Sequence, residues 1–208
     1  MPVKSDREYR RIEGLEARAA EDGSKTVEGY ACTFDEEYTL YDFDGYAVKE
    51  SIDSRAFDDC DMADVIMQYD HQGRVFARTG NGTLTLSADA HGLRIRADLG
   101  GTEGGRQLYD EIRGGYTNKM SFGFTVSKDE RTEERDNETG KVTVHRKITG
   151  IKKLYDVSAV SLPANDATEI SARNLCDGLI KEIEEERLAM EARRKQIQKI
   201  KIMMEVQK

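Results

Sequence analysis

The sequence predicts an α+β fold: a mostly antiparallel β-barrel with a few short helices, followed by a charged C-terminal helix. Three observations carry this. Short apolar runs with period-two alternation recur between Val27 and Leu162, separated by turns containing Gly and Asn. Helical spacing is confined to brief stretches inside that region. After Gly178 both Gly and Pro vanish, and dense charge surrounds a helical stripe. The domain expectation is an N-terminal segment over 1–24, read as flexible, a β-barrel domain over 25–172 and a helical tail over 173–208.

In chain order, residues 7–20 are charged, with Ile12 and Leu15 too sparse to fix a structure. Val27 to Phe34 alternates as a first strand. Asp35 to Asp44 is acidic and tyrosine-rich and reads as a loop or irregular hairpin before Tyr46-Ala47-Val48. Ser51 to Phe57 reads as a short helix that Ser51 or Asp53 could cap. Val65 to His71 is extended, with Val65, Met67, Tyr69 and His71 on one face, and Gln72-Gly73 breaks it. Val75 to Thr79, Thr83 to Ala88 and Leu93 to Leu99 form an antiparallel meander, with turns at Asn81-Gly82 and Ala90-His91-Gly92. Arg106 to Arg113 is a helix with Leu108, Tyr109 and Ile112 on one face and Gly114 as its stop. A strand runs from Met120 to Ser127. Residues 128–141 read as a solvated hairpin tip or a disordered loop. Strands resume at Val142 to Ile148 and at Leu154 to Leu162. In the tail, Leu175, Leu179, Ile183, Glu186, Met190, Arg193, Ile197, Ile200 and Met204 keep roughly helical spacing. A helix over 175–207 would span ~50 Å. It either pairs with another helix or stands in solvent.

Composition narrows the function. The chain has 208 residues, 35% of them charged, and a net charge of −8. This is not the basic stripe of a nucleic-acid binder, and it disfavours anionic membranes. No run approaches a membrane span. The charged start is unlike a signal peptide, so the expectation is a soluble, intracellular chain. Cys32, Cys60 and Cys176 are odd in number and form no CxxC pair, which fits free thiols. There is no HExxH, EF-hand loop, P-loop or GxSxG elbow, so neither a metal nor a cofactor is expected.

The chemistry centres on Lys119-Met120-Ser121-Phe122-Gly123-Phe124. Alternation puts Met120, Phe122 and Phe124 on a core face and Ser121, Gly123 and Thr125 on the other. Gly123 leaves room beside the serine for an extended substrate. A serine nucleophile needs a base. Of the three histidines, His91 sits in a turn and His145 beside a charged tip, whereas His71 ends an apolar-faced strand. A third group must orient the base. Asp70 would point to the opposite face of its strand. Asp156 lies inside the apolar run Leu154 to Leu162 and needs a partner if buried, and Ser158 shares its face. On the segment alone, Ser121 reads better as a solvent-facing strand serine than as a nucleophile, and His71 also reads as a core-edge histidine and Asp156 as an edge carboxylate facing water.

The order of these segments resembles the prohead (procapsid maturation) proteases of tailed bacteriophages. The likeness covers about residues 25–170 and rests chiefly on Met120-Ser121-Phe122-Gly123-Phe124 and on Val157-Ser158 with Pro163-Ala164-Asn165. It implies a serine endopeptidase with a herpesvirus-assemblin-like β-barrel, acting in the host cytoplasm inside the assembling prohead. Its partners would be the major capsid protein and its scaffold or delta segment, with self-cleavage and room for a homo-oligomer. It matches His71 to the family's histidine, Ser121 to its serine and Asp156 to the acidic position. The sequence departs from the family where Asp166 follows Pro-Ala-Asn in place of a further proline. Two other readings stay open: a non-catalytic capsid- or scaffold-interaction module on the same fold, and a cysteine-dependent hydrolase.

Overall fold

The computed structural model describes residues 7–206 apart from 14, 20–23, 44 and 161–165. It divides into two units, Met1–Ala172 and Arg173–Lys208. The first is a mixed α+β unit built on two sheets.

The longest elements of that unit are β10 (Lys119–Arg135) and β11 (Val142–Val160), paired antiparallel along their whole length. The charged stretch after Ser127 is therefore not a loose tip. It continues the hairpin, and the chain reverses only at 136–141, where the Asp136 carboxylate accepts from the Glu138 and Thr139 N–H groups. Likewise Val142 to Ile148 and Leu154 to Val160 are one strand. Ser161, Leu162 and Pro163-Ala164-Asn165 lie outside the described residues.

The outer edge of β10 holds β1 (Glu8–Glu13), antiparallel, with Arg11 opposite Ser121. Part of the segment read as flexible is thus a strand of the main sheet. The far edge of β11 is shared by two parallel neighbours. β5 (Tyr46–Ile52) runs along Val142 to Ile148, and β6 (Ile66–Tyr69) along Asp156 to Ala159. β4 (Tyr38–Phe43), in the stretch read as a loop, pairs with β5, and β7 (Gln72–Arg78) pairs with β6. Together these make a seven-stranded sheet.

No helix forms over Ser51 to Phe57. Ser51 and Ile52 end β5, and residues 54–59 are successive turns. The Ala56 carbonyl, which a helix would use internally, accepts instead from Ile151 N–H at 2.8 Å.

The second sheet has the order β2 (Glu16–Ala19), β3 (Lys25–Thr33), β9 (Gly92–Asp98) and β8 (Leu84–Ala88). The expected meander is therefore divided: β8 and β9 form a hairpin here, while β7 belongs to the first sheet. Among the described residues the pairing makes two open sheets, and closure into one barrel is not part of it. One core lies between them. Val27, Ala31, Leu93 and Ile95 of the second sheet pack with Met67, Met120, Phe122, Phe124, Leu154 and Val157 of the first. Helix α1 (Glu103–Arg113) adds Leu108, Tyr109 and Ile112 to that core. It is capped by Thr102, whose hydroxyl accepts from Gly105 N–H at 3.0 Å.

A buried ion cluster ties the first sheet together. Glu50 and Arg146 are nearly fully buried, as is Arg10. Arg10 donates to both Glu50 carboxylate oxygens, at 2.5 and 2.8 Å, and Arg146 donates to Glu50 at 2.7 Å. Both arginines also reach Glu8; Arg146 donates to Asp129 and Tyr38 to Glu50. Strands β1, β10, β11, β5 and β4 each contribute at least one group. Burial pushes the Glu50 carboxyl up, but Arg10 and then Arg146 outweigh it and hold it down at about 2.

The second unit consists of the later part of α2 (Asp166–Val206). No described helix is long and apolar enough to cross a membrane.

The Glu50 pKa fixes a pH test. Its folded value lies below the ~4.3 of an unfolded carboxyl, so the cluster stabilises fully above that value and loses its contribution as pH falls toward about 2. Glu50→Gln should cost on the order of 3 kcal/mol at pH 7 by leaving buried guanidinium charge uncompensated. It should also flatten the acid dependence of the unfolding midpoint between pH 4.5 and 2.5. Equal slopes in wild type and variant would contradict the cluster's role.

Candidate active site

The site face of the main sheet is built from two cross-strand rows. Tyr9, Gly123 and Asp156 lie side by side on β1, β10 and β11, and Ser121 and Ser158 pair in the next row. A regular strand would put Leu154 on the same face as Asp156. The pairing shifts between Gly123 and Phe124, so that Gly123 faces Asp156 while Phe124 faces Leu154. Tyr155 is the extra residue of a β-bulge. The bulge sends Leu154 into the core and leaves Asp156 on the site face.

His71 arrives from the other side of β11. Tyr69 pairs with Gln72, and Asp70 and His71 between them have φ of 48° and 56°. This is a two-residue hairpin of the I′ kind, in which both positions are left-handed. The strand expected to carry His71 therefore ends two residues early, and Gln72-Gly73 opens β7. Non-glycine residues held there cost roughly 1–3 kcal/mol each. Asp70 N–H donates to the Ala159 carbonyl at 2.9 Å, which fixes the turn beside the end of β11.

The three residues singled out in the sequence come together. His71 Nδ1 lies 2.5 Å from Asp156 Oδ1, and His71 Nε2 lies 2.6 Å from Ser121 Oγ. An ionised Asp156 only accepts, so the proton of a neutral His71 sits on Nδ1 and Nε2 is left to accept from the Ser121 hydroxyl. Ser158 donates to Asp156 Oδ1 at 2.8 Å, and Arg7 approaches Asp156 Oδ2 at 3.7 Å. The carboxylate is 1% exposed, and these donors are what make its burial tolerable. Adjacent Asp70 is not the partner of His71.

Two expectations change. Ser121 is 2% exposed, not a residue facing an open groove. The space over Gly123 is also filled, and not by room for a substrate chain. A Cβ there would lie 2.5 Å from Asp156 Oδ2 and 2.9 Å from the Tyr9 ring. Gly123 is the low point over which these two side chains lean.

Tyr9 and Arg7 were not legible as site residues. The Tyr9 ring meets the His71 ring edge-on, with centroids 4.5 Å apart, and the Arg7 guanidinium stacks 3.8 Å from the Tyr155 ring. The available signal was alternation of charge: Glu8 and Arg10 go to the ion cluster while Tyr9 goes to the site. His91 and His145 lie elsewhere, the first against Tyr30 and the second 2.6 Å from Glu37. A surface concavity on α1, lined by Glu103, Arg106, Asp110 and Tyr116 among others, contains none of the three residues. Burial pushes the Cys32 thiol up to about 12 and Cys60 to about 11. Neither thiol is therefore activated as a nucleophile. Among the described residues no group of His, Cys, Asp and Glu could hold a metal ion.

Gly123→Ala should push Asp156 away from His71 and cost roughly 1–3 kcal/mol. Proton NMR of wild type should show a downfield His71 Nδ1–H resonance that moves upfield or disappears in the variant. An unchanged resonance would contradict the close packing over Gly123.

A family model described as caudovirus prohead serine protease matches residues 13–179. No curated protein matches the sequence. Among solved structures, the bacteriophage T4 capsid assembly protease is similar at 13% identity with a TM-score of 0.37, covering 74% of this chain and 98% of that one.

Proposed function

The chain belongs to the caudovirus prohead serine proteases, and on that footing we propose that it is a serine endopeptidase with Ser121 as nucleophile, His71 as general base and acid, and Asp156 as the group that orients His71. The observation supporting the assignment is the continuous hydrogen-bonded chain from Ser121 Oγ through both nitrogens of His71 to a buried carboxylate.

In this mechanism Ser121 Oγ attacks a peptide carbonyl carbon as His71 Nε2 takes its proton. The new C–O bond forms and the carbonyl π pair moves to the oxygen. The resulting imidazolium is stabilised by Asp156, which stays ionised. His71 then delivers the proton to the amide nitrogen, the C–N bond breaks, and the amine leaves an acyl-enzyme. Water attacks the ester with His71 again as base, and Ser121 is restored. Ser158 and Arg7 hold Asp156 in place. Tyr9 packs against His71 and limits its rotation. Since Ser121 is nearly covered, peptide entry displaces side chains over it.

The substrates in this reading are the capsid protein, its scaffold segment and the protease chain itself, cleaved within the assembling prohead. The two facing sheets correspond, on the same reading, to the halves of an assemblin-type barrel.

Co-expression with the capsid protein of the same phage tests it. Wild type should yield shortened capsid protein. Ser121→Ala should leave it full length, and Asp156→Asn should slow processing by roughly 10⁴-fold, as when a triad carboxylate becomes an amide. Thiol alkylation should leave processing intact. Equal processing by wild type and Ser121→Ala would sink the assignment, and equal absence would favour the interaction-module reading.

A further inference from the structure

From Ile183 onward, α2 presents Ile183, Glu186, Met190, Arg193, Ile197 and Ile200 at alternating spacings of three and four. This is a heptad seam of period 3.5. Met190 is 58% exposed, Ile197 47% and Ile200 51%. Single exposed apolar residues need no account. These share one line that, with Ile183, extends ~25 Å at the helical rise.

The charge along the same helix is divided. Before Met190, Glu182, Glu184, Glu185 and Glu186 outnumber Lys181 and Arg187; after it, Arg193, Arg194, Lys195, Lys199 and Lys201 outnumber Glu191. Glu186 and Arg193 are seven residues apart, two turns on the same seam. In a parallel pair of such helices each residue meets its own copy, so Glu186 would face Glu186 and Arg193 would face Arg193 inside the seam. In an antiparallel pair centred between them, each Glu186 meets Arg193 of the other copy, and the acidic half lies on the basic half.

We propose that α2 is a self-association surface, through which two copies of this chain pair antiparallel along the seam from Ile183 to Ile200. A second copy is the fitting occupant because the helix carries both halves of the complementary charge set. Its apolar positions then gain the burial that they lack in the single chain.

Equilibrium sedimentation of the full chain tests this. Carrying it out on the Ser121→Ala background keeps the tail length constant and makes the result independent of the proteolytic reading. The chain should dimerise, and more weakly at high salt. Glu186→Arg and Arg193→Glu should each weaken dimerisation by about tenfold or more. The double reversal should restore it. Both positions are exposed, so helix content by circular dichroism should be unchanged. A chain that stays monomeric, single reversals without effect, or a double reversal as weak as the singles would each overturn the proposal.

Discussion

A carboxylate inside an apolar strand is the constraint around which the rest of this site is arranged. Asp156 is 1% exposed, and an uncompensated charge at that depth is untenable in a folded protein. The fold answers with donors from three directions. His71 comes over from the β6–β7 turn, Ser158 lies two residues along the same strand, and Arg7 reaches in from beside β1. Local irregularities make this arrangement possible. The bulge at Tyr155 aims Asp156 away from the core. The left-handed pair Asp70-His71 turns the imidazole back over the sheet. Gly123 keeps the neighbouring position low. Strain at the turn and loss of a side chain at Gly123 are opposed by one well-satisfied buried acid.

The same physics holds the sheet together a few residues away. Glu50 is also buried, and its partners Arg10 and Arg146 come from strands far apart in sequence. Buried ion clusters of this sort contribute less to net stability than their contacts imply, because desolvation opposes them. They are sensitive to removal of one member. Here the cluster anchors β1, and β1 carries Tyr9 to His71. Registry of the N-terminal strand and packing of the imidazole are therefore coupled through neighbouring residues of opposite face.

Much of this was legible in the residues. The alternation of Met120, Phe122 and Phe124 placed Ser121 on the opposite face, and the buried-acid argument joined Asp156 to His71. The helix over Arg106 to Arg113 was readable from apolar spacing, but its first turn and its cap at Thr102 lie in a Gly-rich stretch that hid them. What escaped reading escaped for identifiable reasons. Glu8 to Glu13 has almost no apolar alternation, and the Glu8 and Arg10 side chains only become tolerable once Glu50 and Arg146 are beside them. The stretch after Ser127 looks disordered because both of its faces are polar, yet its backbone pairs with β11 throughout. Ser51 to Phe57 has helix-compatible residues, but hydrogen bonds to β11 take the Asp53 N–H and the Ala56 carbonyl. The bulge leaves no mark in a one-dimensional pattern, and without it Gly123 looks like space for substrate.

Where a serine-directed reagent reacts decides whether Ser121 is the nucleophile. Wild-type protein treated with a fluorophosphonate and digested should give a single phosphonylated peptide, modified at Ser121, and His71→Ala should abolish the adduct while keeping the fold. An adduct on another residue, or labelling of Ser121 that persists undiminished without His71, would contradict the hydrogen-bonded chain from Asp156 to Ser121 as the source of its reactivity.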